Sequence, residues 1–323
     1  PRSTLMRSSA ASDVYQRQTK GYMLGAIAAA TYGMNPLFTL PLYQDGMDPY
    51  SVLFFRYLFS IPILGIMIVS RGRNFRIQRK ELGATAIMGI LAALSSLMLF
   101  VSYKYMAAGI ASSILFVYPI MVALIMAIGF KEKLTVQTIL CTMLALLGIS
   151  LLYQSEDGGD PLNMTGMVLV MGSALSYAIY IVGVNRPILR NVATVKLTFY
   201  VISFGLLVFI VGTRFCTDLM VPFRWQHWVN LFALALFPTA ISFLCTTIAA
   251  QYIGSTPTAI LGALEPVTAV FFGVTLFNET MNGRIALGIL LILLAVTMVI
   301  AGGKITTQMV RFRKLFPRII KHK

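Results

Sequence analysis

Charge is scarce in this sequence, and acid is scarcest. Of 323 residues only 11% are charged, with 11 Asp and Glu against 26 Lys and Arg. A soluble domain exposes more charge than that, whereas 58% hydrophobic residues suit a chain dissolved in lipid. Three cysteines (Cys141, Cys216, Cys245) are too few and too scattered for a disulfide framework or a structural zinc site. Two histidines, His227 and His322, form no HExxH pattern, and neither an aspartate pair nor a Ser–Lys arrangement stands in the apolar runs. A membrane-embedded enzyme therefore has little to work with, because one buried carboxylate cannot both transfer protons and activate a nucleophile. No GxxxxGK[ST] loop is present, which argues against direct ATP drive. No metal or cofactor is expected. The first twenty residues are polar and basic, so nothing there reads as a cleaved signal peptide.

What is abundant is apolar sequence in runs of about 20 residues, the length that crosses a ~30 Å hydrocarbon core. The pattern predicts an all-α integral membrane protein of ten spans near 21–43, 50–70, 82–103, 107–130, 135–153, 163–184, 192–213, 228–250, 255–277 and 283–303. A cytoplasmic segment (1–20) precedes them and a basic tail (304–323) follows. The net charge of +15 suggests nucleic acid at first sight, but the bases are sorted by side of the membrane. With the amino terminus inside, only Lys104, Arg214, Arg224 and Arg284 of the 26 fall outside and Arg56 lies within a span. That asymmetry orients a multi-pass protein of the plasma (inner) membrane with both termini cytoplasmic. The partners expected are the lipid bilayer, a small-molecule substrate and protons, with no nucleic acid.

An internal repeat organises these spans. Ser95–Ile149 aligns without a gap to Ser242–Val296, so that Tyr105 meets Tyr252, Pro119 meets Pro266 and Glu132 meets Glu279. Each half (21–153 and 164–303) then holds five spans. Five is odd, so the second copy enters the membrane upside down, the inverted-repeat plan of many secondary transporters. Paired interruptions mark the binding site in such proteins. Here Pro119 and Pro266 each remove a backbone donor, which is expected to free the carbonyls of Leu115 and Gly262.

The motifs Tyr103-Lys104-Tyr105, Tyr118-Pro119 and Lys131-Glu132-Lys133-Leu134 resemble those of the drug/metabolite transporter superfamily, in particular its ten-span EamA-type members. In the second half Gln251-Tyr252, Glu265-Pro266 and Asn278-Glu279 take the same places. Lys131 and Asn278 depart from the glycine often found there. The resemblance implies an exporter or exchanger of small metabolites working by alternating access, with amino acids the best-known cargo class. A passive channel is the alternative.

Glu265 is the leading candidate, because a carboxylate at mid-membrane is expensive and normally faces a protein interior or wet cavity. It can carry a coupling proton, bind a cargo amine, pair with Arg56, or donate to the carbonyl that Pro266 frees. Arg56 lies about seven residues into its span, about 10 Å deep, and Glu265 about 15 Å from the other face. In a ~30 Å core their depths differ by only about 5 Å, so the two can pair, or Arg56 can bind a cargo carboxylate. Snorkelling to the headgroups is its other option. Tyr32, Tyr118, Tyr177 and Tyr180 are mid-span hydroxyls for cargo, or core tyrosines with satisfied hydroxyls. Asn35 is a further mid-span polar group. Pro36, Pro41, Pro62, Pro238 and Pro257 have no partner in the other half and are expected only to shape helices.

Overall fold

The computed structural model describes residues 2–106, 111, 114–132, 135–152, 164–276 and 283–315. The 154–163 loop, the Asn278–Glu279 turn, Lys133-Leu134 and tail residues 316–323 lie outside that set. In chain order the helices are α1 (Arg2–Tyr32), α2 (Asn35–Gln44), α3 (Pro49–Ser70), α4 (Arg79–Ser102), α5 (Tyr118–Phe130) and α6 (Val136–Leu152). They continue as α7 (Met164–Val184), α8 (Pro187–Arg190), α9 (Thr194–Gly212) and α10 (Trp225–Leu234). A π-helical turn (Ala235–Ile241) leads into α11 (Ser242–Ile253), followed by α12 (Ser255–Leu261), α13 (Leu264–Leu276) and α14 (Gly283–Leu315).

Among the described residues every regular element is helical. Six stretches are long and apolar enough to span a bilayer: α3, α4, α7, α9, Trp225–Ile253 and Gly283–Ala301. Local signals start them. Asp48 accepts from the Tyr50 N–H (2.9 Å) ahead of Pro49 at the start of α3. At the start of α4 the Glu81 carboxylate accepts from the Gln78 N–H (3.0 Å). Each long helix buries one face and turns apolar side chains such as Ile66, Ile87, Val168, Val211 and Leu290 outward. A ring of exposed aliphatics of that kind needs hydrocarbon around it.

Several spans are not simple rods. The first, expected to run unbroken over 21–43, is interrupted by a turn at Gly33-Met34, and Pro36 stands in the first turn of the new helix α2. The stretch around Pro238 is a π turn. Both prolines were expected only to shape helices, yet each sits at a change of backbone hydrogen bonding, the usual cause of a sharp bend. Turns at Phe116-Val117 and Gly262-Ala263 precede Pro119 and Pro266, each of which stands in the first turn of the helix that follows. The Gly262 carbonyl is a correction, because the Glu265 N–H donates to it at 2.8 Å and it is not free. At the two ends, helix α1 runs through the polar residues ahead of the first span, and α14 carries on past 303.

The helices pack in a definite set of pairs: α6 on α14, α3 on α9, α1 on α11, α7 on α4, α9 on α4, and α3 on the π turn. In addition α5 packs on α7 and α13 on α1. One polar tie joins α2 to α10. His227, buried at the start of α10, donates to Asp45 Oδ2 at 2.6 Å, and Arg224 Nη1 lies 3.6 Å from the same oxygen. The hydrogen bond from His227, with the Arg224 charge behind it, holds the Asp45 carboxyl below the usual carboxylate range. A carboxyl depressed in the folded state stabilises above its unfolded value of about 4 and loses that contribution as pH falls through the lower folded value. Hydrogen exchange at Trp225–Leu231 is therefore expected to quicken only below about pH 4, and Asp45→Asn to make it fast at all pH. Unchanged exchange in Asp45→Asn would show that the tie holds nothing in place.

Candidate functional site

Helix interruptions meet at the centre of the molecule. Gly33, at the α1–α2 break, abuts the backbone carbonyl of Glu265, and a Cβ on it would also stand 2.9 Å from Thr268 Cβ. Tyr118, the first residue of α5, brings its hydroxyl against Gly262 at the α12–α13 break. Only glycine allows either approach. Between them lies a cavity of about 10 Å³ whose lining includes Tyr118, Tyr177, Thr246, Thr258, Gly262 and Glu265. That volume suits one water rather than a metabolite.

Aromatic rings from three spans wall this centre. Tyr177 on α7 stacks on Tyr32 (6.2 Å between centroids) and on Tyr180 (6.1 Å), and meets Tyr118 edge-on at 4.9 Å. Their ordering follows from spacing: Tyr177 and Tyr180 are three apart on α7 and share a face, while Tyr32 ends α1 and Tyr118 starts α5. The Tyr180 hydroxyl pairs with that of Thr247 at 3.2 Å. Glu265 is partly buried, lines the cavity, and lies close enough for its charge to act on Tyr32, Tyr118 and Tyr177.

Arg56 is wholly buried on α3. Its Nε donates to the Thr239 hydroxyl (2.5 Å) and its Nη2 to the Pro238 carbonyl (3.1 Å), both in the π turn. Ser60, one turn on, shares its hydroxyl hydrogen between the Arg56 and Ala235 carbonyls at 2.7 and 2.9 Å. The π turn closes bonds five residues apart rather than four, which leaves the Pro238 carbonyl available to a side chain. The guanidinium lies over two rings, 5.9 Å from Tyr32 and 5.4 Å from Phe100. This geometry excludes snorkelling. Nor does Arg56 pair with Glu265: among the described residues no carboxylate lies within ion-pair distance of it.

Of the predicted residues, Tyr32, Tyr118, Tyr177 and Glu265 therefore share one neighbourhood, and Arg56 joins it through Tyr32. Asn35 is buried at the start of α2, and neither of its amide atoms has a partner among the described residues. Pro119 and Pro266 stand in the first turns of α5 and α13. Lys104, one of the few bases expected on the outer side, pairs with Asp48 at 3.0 Å. Sequence reasoning missed Thr39, whose buried hydroxyl is also unpartnered, and the cavity threonines Thr246 and Thr258. A threonine inside an apolar run carries no signal that separates it from β-branched packing. Among the described residues no three His, Cys, Asp or Glu side chains are grouped to hold a metal ion.

Six long apolar helices around a polar centre at the helix breaks define a multi-pass membrane protein. The chain belongs to the EamA-like transporter family, whose pattern matches residues 19–154 and again 164–301, in keeping with the drug/metabolite transporter superfamily. It is similar to the "uncharacterized transporter YdfC" of Bacillus subtilis, 24% identical over 70% of this chain and 73% of that one. An "uncharacterized transporter" of Archaeoglobus fulgidus is 25% identical over 73% of this chain and 81% of its own. Among solved structures, a crystal structure described only as of a protein aligns with a TM-score of 0.73 at 18% identity. It covers 89% of this chain and 98% of its own. At that identity the likeness concerns the fold alone.

Proposed function

We propose that this chain is a secondary transporter that exports a small metabolite across the plasma (inner) membrane by alternating access, driven by protons carried on Glu265. Its ten spans form two inverted repeats (21–153 and 164–303) with both termini cytoplasmic. The packing pairs support that plan. Exchanging the two halves turns the α1–α11 contact into α7–α4, α3 on the π turn into α9 on α4, and α13–α1 into α5–α7. The contacts α6–α14 and α3–α9 map onto themselves, as a twofold exchange requires.

The observation that carries the reading is the meeting of helix breaks from both halves around Glu265 and the Tyr32–Tyr177–Tyr118 cluster. Arg56, Asn35 and the tyrosines form the cargo site, and Pro119 and Pro266 keep the half-helices apart. The cavity is too small for cargo in the arrangement described, so loading requires the halves to part on one side at a time. Such motions run on the microsecond to millisecond scale.

The test is reconstitution of the full chain in liposomes with a pH gradient and a pH-sensitive dye inside. Saturable metabolite-dependent proton flux, with no discrete conductance steps in planar bilayers, is the expected result. Conductance steps would establish a pore instead, and metabolite flux indifferent to the gradient would remove the proton from the cycle.

A further inference from the structure

We infer that the cargo carries a carboxylate, seated against Arg56 Nη1 with the Asn35 amide and the Thr39 hydroxyl beside it. The inference rests on taking the junction of helix breaks as the cargo site. Arg56, Asn35 and Thr39 stand beside its cavity rather than in the wall, linked to it through Tyr32 and Tyr177.

Buried polar atoms without partners are uncommon and call for an explanation. Among the described residues they fall on four side chains: Asn35, Thr39, Arg56 and His227. Asn35 and Thr39 are a turn apart on α2 and lie on one face. The next turn of that face is Tyr43, which donates to the Phe100 carbonyl at 3.4 Å and sets its ring 6.3 Å from that of Phe100. Phe100 is one of the two rings beneath Arg56, and the other, Tyr32, immediately precedes the break from which α2 starts. The guanidinium is thus held beside both ends of the Asn35–Thr39–Tyr43 face.

The sign of the missing partner follows from charge. Arg56 is fully buried, yet the two bonds it makes go to a neutral hydroxyl and a carbonyl, with Nη1 left over. A buried cation without an anion is strongly unfavourable. Half-helices α2, α5 and α13 all begin at the central junction and carry partial positive charge at those ends. No side chain caps α2 or α5, and Glu265 is the acid in the first turn of α13. Two helix ends and a guanidinium therefore await negative charge that the described residues do not supply. Nη1, the Asn35 amide nitrogen and the Thr39 hydroxyl form a small donor set. It suits the two oxygens of a singly charged carboxylate better than a doubly charged phosphate.

The experiment uses the full chain in lipid nanodiscs and matched acid–amide pairs: 3-phenylpropionate and its amide, benzoate and benzamide, hexanoate and hexanamide. Thermal stabilisation and calorimetry read binding. At least one acid is expected to bind saturably, with its amide about 10-fold weaker or more, the scale of losing a charge-assisted hydrogen bond. Thr39→Val removes an unpartnered hydroxyl at nearly constant shape. It should fold normally and weaken the acid about fivefold, whereas Arg56→Lys, which loses the planar fork, should weaken it more. Should Arg56→Lys fail to fold, Thr39→Val still decides. Equal binding of acid and amide overturns the inference, as does unchanged acid affinity in Thr39→Val, or a panel in which no acid binds. Gly262→Ala, whose methyl would displace the Tyr118 hydroxyl from the cavity wall, separates the two failures. If it abolishes binding of neutral probes while acids never bind, the cargo reading survives and the carboxylate falls. If acids bind regardless of it, the junction is not the cargo site and both fall.

Discussion

Glu265→Gln is expected to abolish proton-driven accumulation of cargo, a loss of about 100-fold or more toward the passive rate, while cargo binding changes by only a few fold. The glutamine keeps the shape and polarity of the side chain and removes its exchangeable proton. A charged carboxylate at mid-membrane is costly, so an empty carrier returns with the acid either protonated or facing a compensating charge. Among the described residues no cation is within ion-pair distance of Glu265, the candidate Arg56 being engaged with the π turn. On the proton-driven reading proposed above, a proton neutralises it when the carrier returns empty. Counterflow between cargo pools at equal pH should persist in the variant, because exchange of loaded carriers moves no net proton. Retention of full gradient-driven accumulation by Glu265→Gln would remove Glu265 from the coupling role.

Gly33→Ala is the second large effect. The added methyl would run into the Glu265 backbone carbonyl and sit 2.9 Å from Thr268 Cβ. Neither neighbour is the free end of a flexible chain, so α1 and α13 must separate where their breaks meet. Overpacking of this kind costs about 1–3 kcal/mol. It should appear as a lowered Tm in detergent, with transport falling at least 10-fold as the junction loosens. Gly83→Ala is the internal control. It lies within α4, and nothing stands within 4 Å of the position its Cβ would take. There alanine should be neutral or stabilising by up to about 1 kcal/mol, the difference in helix propensity. Equal losses at both positions would mean that glycine flexibility, not close approach, matters at residue 33.

Much of the centre was legible in the sequence because its signals are local. Pro119 and Pro266 reveal themselves by removing a donor, a carboxylate inside an apolar run is conspicuous, and tyrosines at mid-span are easily located. The break at Gly33-Met34 and the π turn at Pro238 were not. Their prolines lack counterparts in the other half, and symmetry was the criterion for giving a proline meaning. The surroundings of Arg56 were equally hidden. A buried cation suggests an acid or a headgroup, but its actual partners are a hydroxyl and a backbone carbonyl. Residue spacing records where side chains fall along a helix, and it cannot show which carbonyl an irregular turn leaves open. The burial of His227 against Asp45 depends on the approach of α2 to α10, which no local pattern encodes.

The turn at Ala235–Ile241 has a consequence for how this transporter can vary. A single wide turn is what an α-helix becomes when one residue is inserted without displacing the segments on either side. Deleting Pro238 would return Trp225–Ile253 to a continuous α-helix with both flanks still in phase, and would withdraw an acceptor on which Arg56 rests. A variant that lost it would keep its helix packing and be free to shed the arginine.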